Sequence, residues 1–255
     1  MTNNNVLKDL TLAYFVTTLG HYGFKDIYKY SLKYLNQNFG LENFGDKRAV
    51  IKVFNNEDSV FDEMSKSFDG FQIFKEYGST GINDNPHQDE NTYAHYLLNN
   101  YLVSIINMYS SDIKTEFVLW YQDDEVLGMN RHKLELAPHD YFASAFDVLR
   151  KHPDVFAVYF EGPEHPLETD HLFGYRKYAF APHIARTKDY FKIVTFIRYN
   201  FKQFLGAHPE MACEMVVKHF NPKANFAMFN SKFIWNRNLG GGNSLEVRKE
   251  LGLFI

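Results

Sequence analysis

The stretch Thr115-Glu-Phe-Val-Leu-Trp-Tyr-Gln-Asp-Asp-Glu125 decides the fold class of this chain. Its first part is an apolar run of strand length, which is typical of a strand buried on both faces of a parallel sheet. The run stops abruptly at Gln122, and three acidic side chains follow. Because open α/β sheets bind their ligands beyond the carboxyl ends of the strands, the pattern predicts a buried central strand that ends in acidic residues at a functional crevice.

Strand and helix patterns alternate along the rest of the chain, which predicts an α/β fold with parallel strands. Runs rich in β-branched and aromatic residues predict strands over 10–18, 48–54, 70–76 and 155–160. Apolar positions at helical spacing predict helices over 27–35, 60–67, 92–108, 140–152 and 188–205.

Composition indicates a compact chain with a large core. The 255 residues are 45% hydrophobic and include 25 Phe and 17 Tyr, which excludes a disordered protein and favours one domain. Cys213 is the single cysteine, so an internal disulfide is excluded. The N-terminus lacks the pattern of a secretory signal, and no apolar stretch approaches the roughly 20 residues that span a bilayer. We therefore expect a cytoplasmic location, in the host if the protein is viral, without a membrane span.

Charge is distributed unevenly, although the formal net charge is only -4. Residues 1–144 carry a net -8 and residues 145–255 a net +4. The segment from His171 to Arg237 has 11 basic residues against the acidic Asp189, Glu210 and Glu214, a local excess of +8. This segment is expected to attract phosphates.

The acidic residues after the central strand suit a hard divalent cation. Carboxylate oxygens are typical ligands of Mg²⁺ and Mn²⁺, and these ions in turn bridge substrate phosphates. Such a metal would offset the negative charge that develops on a departing nucleoside diphosphate. The residues alone leave open that Gln122 to Glu125 form a solvated acidic turn.

The segment Phe117-Val-Leu-Trp-Tyr-Gln-Asp-Asp-Glu-Val126 resembles the strand and acidic motif of GT-A-type glycosyltransferases. The order of strand, helix, strand and acidic loop upstream of it fits the same family. The resemblance implies one GT-A-like, Rossmann-like domain over residues 1–255, with a mixed, mostly parallel central sheet flanked by helices. Residues 1–130 would form its nucleotide-binding half and residues 131–255 its acceptor-binding half.

The family motif is Asp-x-Asp, whereas this chain reads Gln122-Asp-Asp-Glu125 and allows two registers. We favour Asp124 as the direct metal ligand, with Asp123 contacting the ribose or a water. The other register would direct Asp123 and Glu125 toward the metal.

The resemblance also implies further residues of a nucleotide-sugar site. Those expected near the nucleotide or its diphosphate are Thr17, Thr18, Asn55, Glu57, Asp58, Asp123 and Arg237. Arg237 precedes a glycine triplet, whose backbone could approach phosphate closely, and a flexible linker is the alternative for that segment.

Three downstream residues complete the expected site. Family members often supply a late histidine to the metal, and His219 is the candidate here. Glu210 or Glu214 would be the catalytic base. Glu210 follows Pro209 at a predicted helix start, where the helix dipole favours a carboxylate. The alternative for all three is an ordinary surface or hydrogen-bonded residue.

These patterns predict a metal-dependent glycosyltransferase that moves a sugar from a nucleoside-diphosphate sugar to an acceptor hydroxyl, with Mn²⁺ or Mg²⁺ as cofactor. The basic segment makes a nucleic acid a candidate acceptor, in its sharpest form a hydroxymethylated base flipped out of bacteriophage DNA. The alternatives are a metal-dependent nucleotidyltransferase or phosphohydrolase and a non-catalytic binding module. The sequence leaves the oligomeric state open.

Overall fold

A central mixed sheet organises the molecule. The computed structural model describes residues 3–18, 26–54, 57–77, 112–127, 138–160, 172–175, 178, 181–204, 209–229, 236–238 and 249. In this part of the chain, eight strands form one sheet in the order β3-β2-β1-β4-β8-β6-β9-β7, and β5 and β10 form a small second sheet.

The strands are β1 (Leu10–Thr17), β2 (Asp46–Val53), β3 (Gln72–Tyr77), β4 (Phe117–Gln122), β5 (Glu125–Leu127), β6 (Val155–Tyr159), β7 (Leu172–Tyr175), β8 (His183–Arg186), β9 (Asn225–Phe229) and β10 (Asn236–Asn238). The α-helices are α1 (Ile27–Phe39), α2 (Asp58–Ser65), α3 (Pro138–Lys151), α4 (Thr187–Asn200) and α5 (Pro209–Phe220). Short 3-10 helices cover Asn3–Asp9, Leu41–Asn43 and Phe201–Phe204.

Pairing directions confirm the prediction of an α/β fold with a mixed, mostly parallel sheet. Strand β1 pairs in parallel with both β2 and β4, and β3 extends this half in parallel with β2. Strand β8 is antiparallel to β4 and to β6, and β9 continues in parallel with β6. The strand direction reverses again at the last position of the sheet, where β7 is antiparallel to β9.

The sequence analysis missed five strands of the described residues, β5, β7, β8, β9 and β10. Two of them, Leu172–Tyr175 and His183–Arg186, are only four residues long, so they offer too short a run for periodicity to detect. Strand β8 is buried because it fills the gap between β4 and β6. The predicted helix over 92–108 lies outside the described residues.

The two faces of the sheet have separate cores. On one face, alternate residues of β1 and β4 such as Tyr14 and Tyr121 pack with residues from α1, α2 and α3. On the other face, neighbours such as Phe15 and Trp120 pack with residues from α4 and α5. Alternate residues of β4 thus enter opposite cores, and because both faces of the strand are buried, its sequence is continuously apolar.

A buried chain of hydrogen bonds crosses the second core. The Nδ1 atom of His183 bonds the carbonyl of Ala181 at 2.7 Å, and because a carbonyl only accepts, Nδ1 carries the proton. Its Nε2 atom therefore accepts from the hydroxyl of Tyr190, which in turn bonds the hydroxyl of Tyr178 at 2.8 Å. Burial lowers the pKa of His183 and so keeps its ring neutral in the core, although the bond to Ala181 opposes that shift.

None of the helices in the described part of the chain is long and apolar enough to cross a bilayer. The division of the chain into nucleotide-binding and acceptor-binding halves stays a prediction.

Candidate functional site at the carboxyl end of β4

The acidic residues that follow β4 are buried. Asp123 is 1% exposed, Asp124 5% and Glu125 3%. Asp123 and Asp124 form the turn between β4 and β5, and Glu125 begins β5; we call these three residues the acidic turn. Carboxylates are rarely buried so completely unless they are paired or bind a cation. The burial excludes the alternative that the sequence left open, a solvated acidic turn.

The acidic turn is joined to the end of β1. The backbone N–H of Thr17 donates a hydrogen bond to Oδ2 of Asp123 at 3.3 Å. The two strands run side by side in parallel, with Phe15 opposite Gln122, so both end at the same edge of the sheet. The structure thus brings together two residues that the sequence analysis assigned to one site from distant segments.

Thr18 joins the ends of β1 and β2. Its backbone N–H donates to the carbonyl of Lys52 at 2.9 Å, and its hydroxyl accepts from the backbone N–H of Phe54 at 3.0 Å. The side chain is buried, and through these two bonds Thr18 connects the ends of β1 and β2. A nucleotide contact of this residue stays a prediction.

A buried ion pair lies beside these strand ends. Nζ of Lys52 on β2 is 3.2 Å from Oε2 of Glu76 on β3, and the two residues are direct partners in the sheet. Burial lowers the pKa of Lys52, and Glu76 opposes that shift. The sequence analysis did not single out this pair, although a lysine inside a β-branched strand is an unusual residue that could have pointed to it.

Tyr121 fixes the backbone on both sides of the acidic turn. Its hydroxyl donates to the carbonyl of Glu125 at 2.9 Å and accepts from the backbone N–H of Leu127 at 3.0 Å. Helix α1 adds a bond from Nδ2 of Asn38 to the carbonyl of Leu127 at 2.8 Å. Sequence reasoning treated Tyr121 only as part of an apolar run, and no local signal indicates that its hydroxyl turns back to the next strand.

Two buried tyrosines lie beside the acidic turn and have raised pKa values. Burial, and to a smaller extent the negative charge of Asp123, raises the pKa of Tyr14 well above its ordinary value. Burial also raises the pKa of Tyr121, with smaller contributions from Glu125 and Asp124 in the same direction. Both phenols stay protonated, so they add no negative charge of their own to the acidic turn.

Arg237 belongs to the strand that borders the acidic turn. Strand β10 is antiparallel to β5, with Arg237 opposite Val126 and Asn238 opposite Glu125. The backbone of this late segment therefore runs directly beside the turn. A contact of Arg237 with the diphosphate stays a prediction. The glycine triplet that follows lies outside the described residues.

The residues after β2 that were predicted to bind the nucleotide differ in burial and in contacts. Glu57 is half-buried and immediately precedes α2. Asp58 is exposed, accepts from the hydroxyl of Tyr77 at 2.9 Å and pairs with Nζ of Lys75 at 2.5 Å, and these partners lower its pKa. Asn55 lies outside the described residues.

Helix α5 separates the three downstream candidates. The helix ends at Phe220, and Phe220 lines a cavity together with Glu116, the residue just before β4. The helix therefore runs from the edge of the sheet where the parallel strands end to the edge where they begin. Glu210, in the first turn, therefore lies toward the edge that carries Asp123. Glu214 is one turn further, and its Oε2 accepts from the backbone N–H of Tyr178 at 3.3 Å.

The structure does not bring His219 to the acidic turn. It lies in the last turn of α5, toward the opposite edge of the sheet, and its ring contacts Phe196 at 4.9 Å and Phe220 at 5.3 Å between centroids. This placement gives no support to His219 as a metal ligand together with Asp124, which stays a prediction. His219 lies nine positions after Glu210 in the helix, a rise of about 14 Å.

The donor set fits a metal that is bound together with a substrate. In the described residues, no group of three or more His, Cys, Asp or Glu side chains could bind a metal ion. Asp123 and Asp124 supply carboxylates, and Mg²⁺ commonly takes one or two protein carboxylates and completes its shell with phosphate and water. The site residues thus suit Mg²⁺ or Mn²⁺ that arrives with a diphosphate.

A large cavity lies at the other edge of the sheet. Its volume is about 1280 Å³, and it is lined by residues near the amino end of β4, such as Thr115 and Glu116, and by the first turn of α4. Arg186, which also lines it, donates to the carbonyls of Leu149 and Val155. The cavity is separate from the acidic turn, because β4 lies between them.

No known family model matches the sequence, and the search of curated proteins gives no significant match.

Several solved structures align over most of the chain at low identity. A 4-diphosphocytidyl-2C-methyl-D-erythritol synthase from Anaerococcus prevotii is 11% identical, with 97% of this chain and 98% of that chain covered and a TM-score of 0.48. The inositol-1-phosphate CTP transferase from T. maritima is 8% identical, with coverages of 94% and 95% and a TM-score of 0.47. Mouse xyloside xylosyltransferase 1 is 8% identical, with coverages of 84% and 83% and a TM-score of 0.40. The names of these proteins include both nucleotidyl and glycosyl transfer, and similarities this low do not separate the two activities.

Proposed function

We propose that this chain is a metal-dependent glycosyltransferase that moves a sugar from a nucleoside-diphosphate sugar to an acceptor hydroxyl. The observation that supports it is the buried acidic turn at the carboxyl end of β4, which the Thr17 amide joins to the end of β1. This edge is where parallel α/β sheets bind nucleotides.

In this proposal, Asp124 is the residue that contacts Mg²⁺ or Mn²⁺, and Asp123 positions the turn. One oxygen of Asp123 accepts the Thr17 amide, which restrains its carboxylate, and we propose that this carboxylate also contacts the ribose or a water. The metal would neutralise charge on the diphosphate as it leaves. Tyr121 preserves the geometry of the turn through its bonds to Glu125 and Leu127.

Nucleotide contacts would come from two segments beside the turn. Glu57 and Asp58 follow β2, the strand next to β1, and their carboxylates could accept hydrogen bonds from the base or ribose. Arg237 would add positive charge near the diphosphate, because its backbone pairs with Val126 two residues beyond Asp124. Arginine is well suited to phosphate recognition.

Glu210 is the better candidate for the catalytic base. It lies in the first turn of α5, where the helix dipole favours a carboxylate. The acceptor oxygen would attack the anomeric carbon as its proton passes to the Glu210 carboxylate. The bond between the anomeric carbon and the diphosphate oxygen breaks, and the nucleoside diphosphate leaves with the electron pair.

The acceptor stays a prediction, including the hydroxymethylated DNA base, because no described contact tests it. The same carboxylates would also serve nucleotidyl transfer, in which the sugar phosphate attacks the α-phosphate of a nucleoside triphosphate and pyrophosphate leaves. The products of the two reactions differ, which separates the two activities by experiment.

Thermal unfolding with metal and nucleotide tests the site. We expect Mn²⁺ with UDP to raise Tm and Mn²⁺ alone to have little effect, because the protein supplies only part of the coordination shell. A ligand at a hundredfold excess over Kd adds about 2.7 kcal/mol, or roughly 5–10 °C in a chain of this size. Asp124→Asn should abolish the shift, whereas Asp62→Asn, on the exposed side of α2, and His219→Ala should retain it.

Product analysis tests the reaction class. The chain is incubated with Mn²⁺ and a panel of nucleoside-diphosphate sugars and acceptors, and separately with nucleoside triphosphates and sugar phosphates. Release of nucleoside diphosphate with a glycosylated acceptor supports the proposal. Pyrophosphate release with formation of a nucleotide sugar would establish nucleotidyl transfer instead. If Asp124→Asn retains the full thermal shift, the acidic turn is not the site.

A further inference from the structure

Large exposed hydrophobic side chains are concentrated on two helices. In the described part of the chain, six such residues are 49 to 81% exposed. Five of them lie on α4 or α5, namely Phe191, Tyr199, Met211, Met215 and Phe220. Single exposed hydrophobic residues are common on protein surfaces, but a concentration of this kind indicates an interaction surface.

Helices α4 and α5 cover the same face of the sheet. Ile193 and Ile197 of α4 pack in one core with Cys213 and Val216 of α5 and with residues of the central strands such as Trp120. Because both helices point their buried sides at the sheet, their outer sides face away from it in the same general direction. We call this outer surface the α4–α5 face.

The side chains of the α4–α5 face are connected from one helix to the other. Met211, Met215 and His219 follow each other at intervals of four residues, so they line one side of α5. The ring of Phe196 on α4 contacts both His219 and Phe220, at 4.9 and 5.5 Å between centroids. Phe196 thus connects α4 with the last turn of α5, and we call the exposed hydrophobic residues of the two helices the apolar band.

The same face carries exposed positive charge. Lys188, Lys192 and Arg198 on α4 are exposed, as is Lys202 in the 3-10 helix that follows. The only acidic residue of α4, Asp189, is bonded to Arg186 and is largely buried. On α5, Glu210 and Glu214 are half-buried, and Glu214 accepts from a backbone amide. The outer surface of α4 and of the 3-10 helix after it thus presents four cations around the apolar side chains, although Nζ of Lys192 also lies 3.8 Å from Asp189.

We propose that the α4–α5 face binds the surface of an anionic lipid bilayer. Phenylalanine, tyrosine and methionine side chains can enter the boundary between headgroups and acyl chains, and lysine and arginine can reach the lipid phosphates beside them. Juxtaposed basic residues strengthen such binding to anionic lipids and make it sensitive to salt. The inference goes beyond the proposed transferase activity and does not depend on it.

Two other occupants agree less well with the face. A nucleic acid would use the cations and Tyr199, but Met211 and Met215 would contribute little to phosphate or base contacts. A second copy of the chain would bury the apolar band, but a symmetric contact places the same patch on both subunits and would bring the cations of α4 against each other. A bilayer accounts for both the charge and the methionines.

Vesicle sedimentation tests the proposal on the full chain. We expect enrichment on vesicles of phosphatidylcholine and phosphatidylglycerol, with weak binding to pure phosphatidylcholine and a loss of binding as salt rises. The double variant Phe191→Ser/Met215→Ser and the double variant Lys188→Glu/Lys192→Glu should each lower the partition coefficient by about tenfold or more. All four positions are exposed, so circular dichroism and Tm should match the parent chain.

Matched controls come from elsewhere on the surface. Tyr77→Ser changes the sixth exposed hydrophobic residue, on β3, and Lys66→Glu changes an exposed lysine after α2. Both variants should bind the anionic vesicles like the parent chain. The proposal is overturned if the parent chain does not sediment with anionic vesicles, or if the apolar double variant binds them equally well. Without vesicle binding, dimerisation that Phe191→Ser/Met215→Ser abolishes would assign the face to a second copy of the chain. DNA binding that Lys188→Glu/Lys192→Glu abolishes would assign it to a nucleic acid.

Discussion

The backbone amide of Thr17 donates to the carboxylate of Asp123 at 3.3 Å, although 106 residues separate them in the chain. The bond joins the ends of β1 and β4, the two central parallel strands, and both residues are buried. A carboxylate that the sequence indicated as a ligand of substrate or metal thus also satisfies a backbone donor. Substitution can separate this structural role of Asp123 from the binding role that we propose for it.

Asp123→Ala should lower the free energy of unfolding by about 1–3 kcal/mol, because it leaves the buried Thr17 amide without this acceptor. Asp123→Asn retains a carbonyl oxygen that can accept the same bond, and its cost should be below about 1 kcal/mol. Urea denaturation of both variants measures the difference. Equal stability of the two variants would mean that the Thr17 bond contributes nothing.

Replacement of Lys52 tests the buried ion pair with Glu76. Lys52→Met leaves the Glu76 carboxylate buried without its cation, which should lower the free energy of unfolding by about 3–5 kcal/mol. The double variant Lys52→Met/Glu76→Leu should recover most of that loss, because it removes both buried charges. Urea denaturation measures each step of the cycle.

The exposed pair of Lys151 and Asp147, 2.8 Å apart on α3, is the matched control. Lys151→Met should change the free energy of unfolding by less than about 0.5 kcal/mol, because exposed pairs are screened by solvent. If Lys52→Met lowers the free energy of unfolding as little as Lys151→Met does, the buried Glu76 carboxylate does not depend on the Lys52 cation for its stability.

His183 should make the stability depend on pH in the acid range. Burial lowers its pKa from 6.5 to about 4, so between these values the unfolded chain binds a proton that the folded chain does not. The contribution of His183 to the free energy of unfolding is therefore fully present above pH 6.5. It falls as the pH drops toward 4, by about 3 kcal/mol in total. Urea denaturation at pH 7 and pH 4.5 measures the fall.

His183→Gln should reduce that dependence, because glutamine does not titrate, whereas His152→Gln on the exposed end of α3 should leave it unchanged. The comparison uses the difference between the two pH values and not the absolute stability, since His183→Gln also alters the bonds to Ala181 and Tyr190. An unchanged dependence in His183→Gln would assign the acid sensitivity to other groups.

The site was predictable where its signal is local and unpredictable where it depends on long-range packing. The acidic residues after β4 and the strand pattern of β1 are visible in single segments, because burial on both faces demands continuous apolar residues. The position of His219 could not be predicted, because helical spacing gives no indication of which end of α5 faces the acidic turn. Tyr121 was missed because its function depends on where β5 turns back.

The sequence by itself determined the α/β class, the buried central strand and the acidic residues at its end, since period and polarity record which side chains avoid water. Only the tertiary structure decided that β8 enters the sheet in the reverse direction, that Asp123 meets the Thr17 amide, and that His219 lies toward the far edge. These relationships join residues far apart in the chain. Their geometry follows from how the strands and helices pack, which no local pattern of residues specifies.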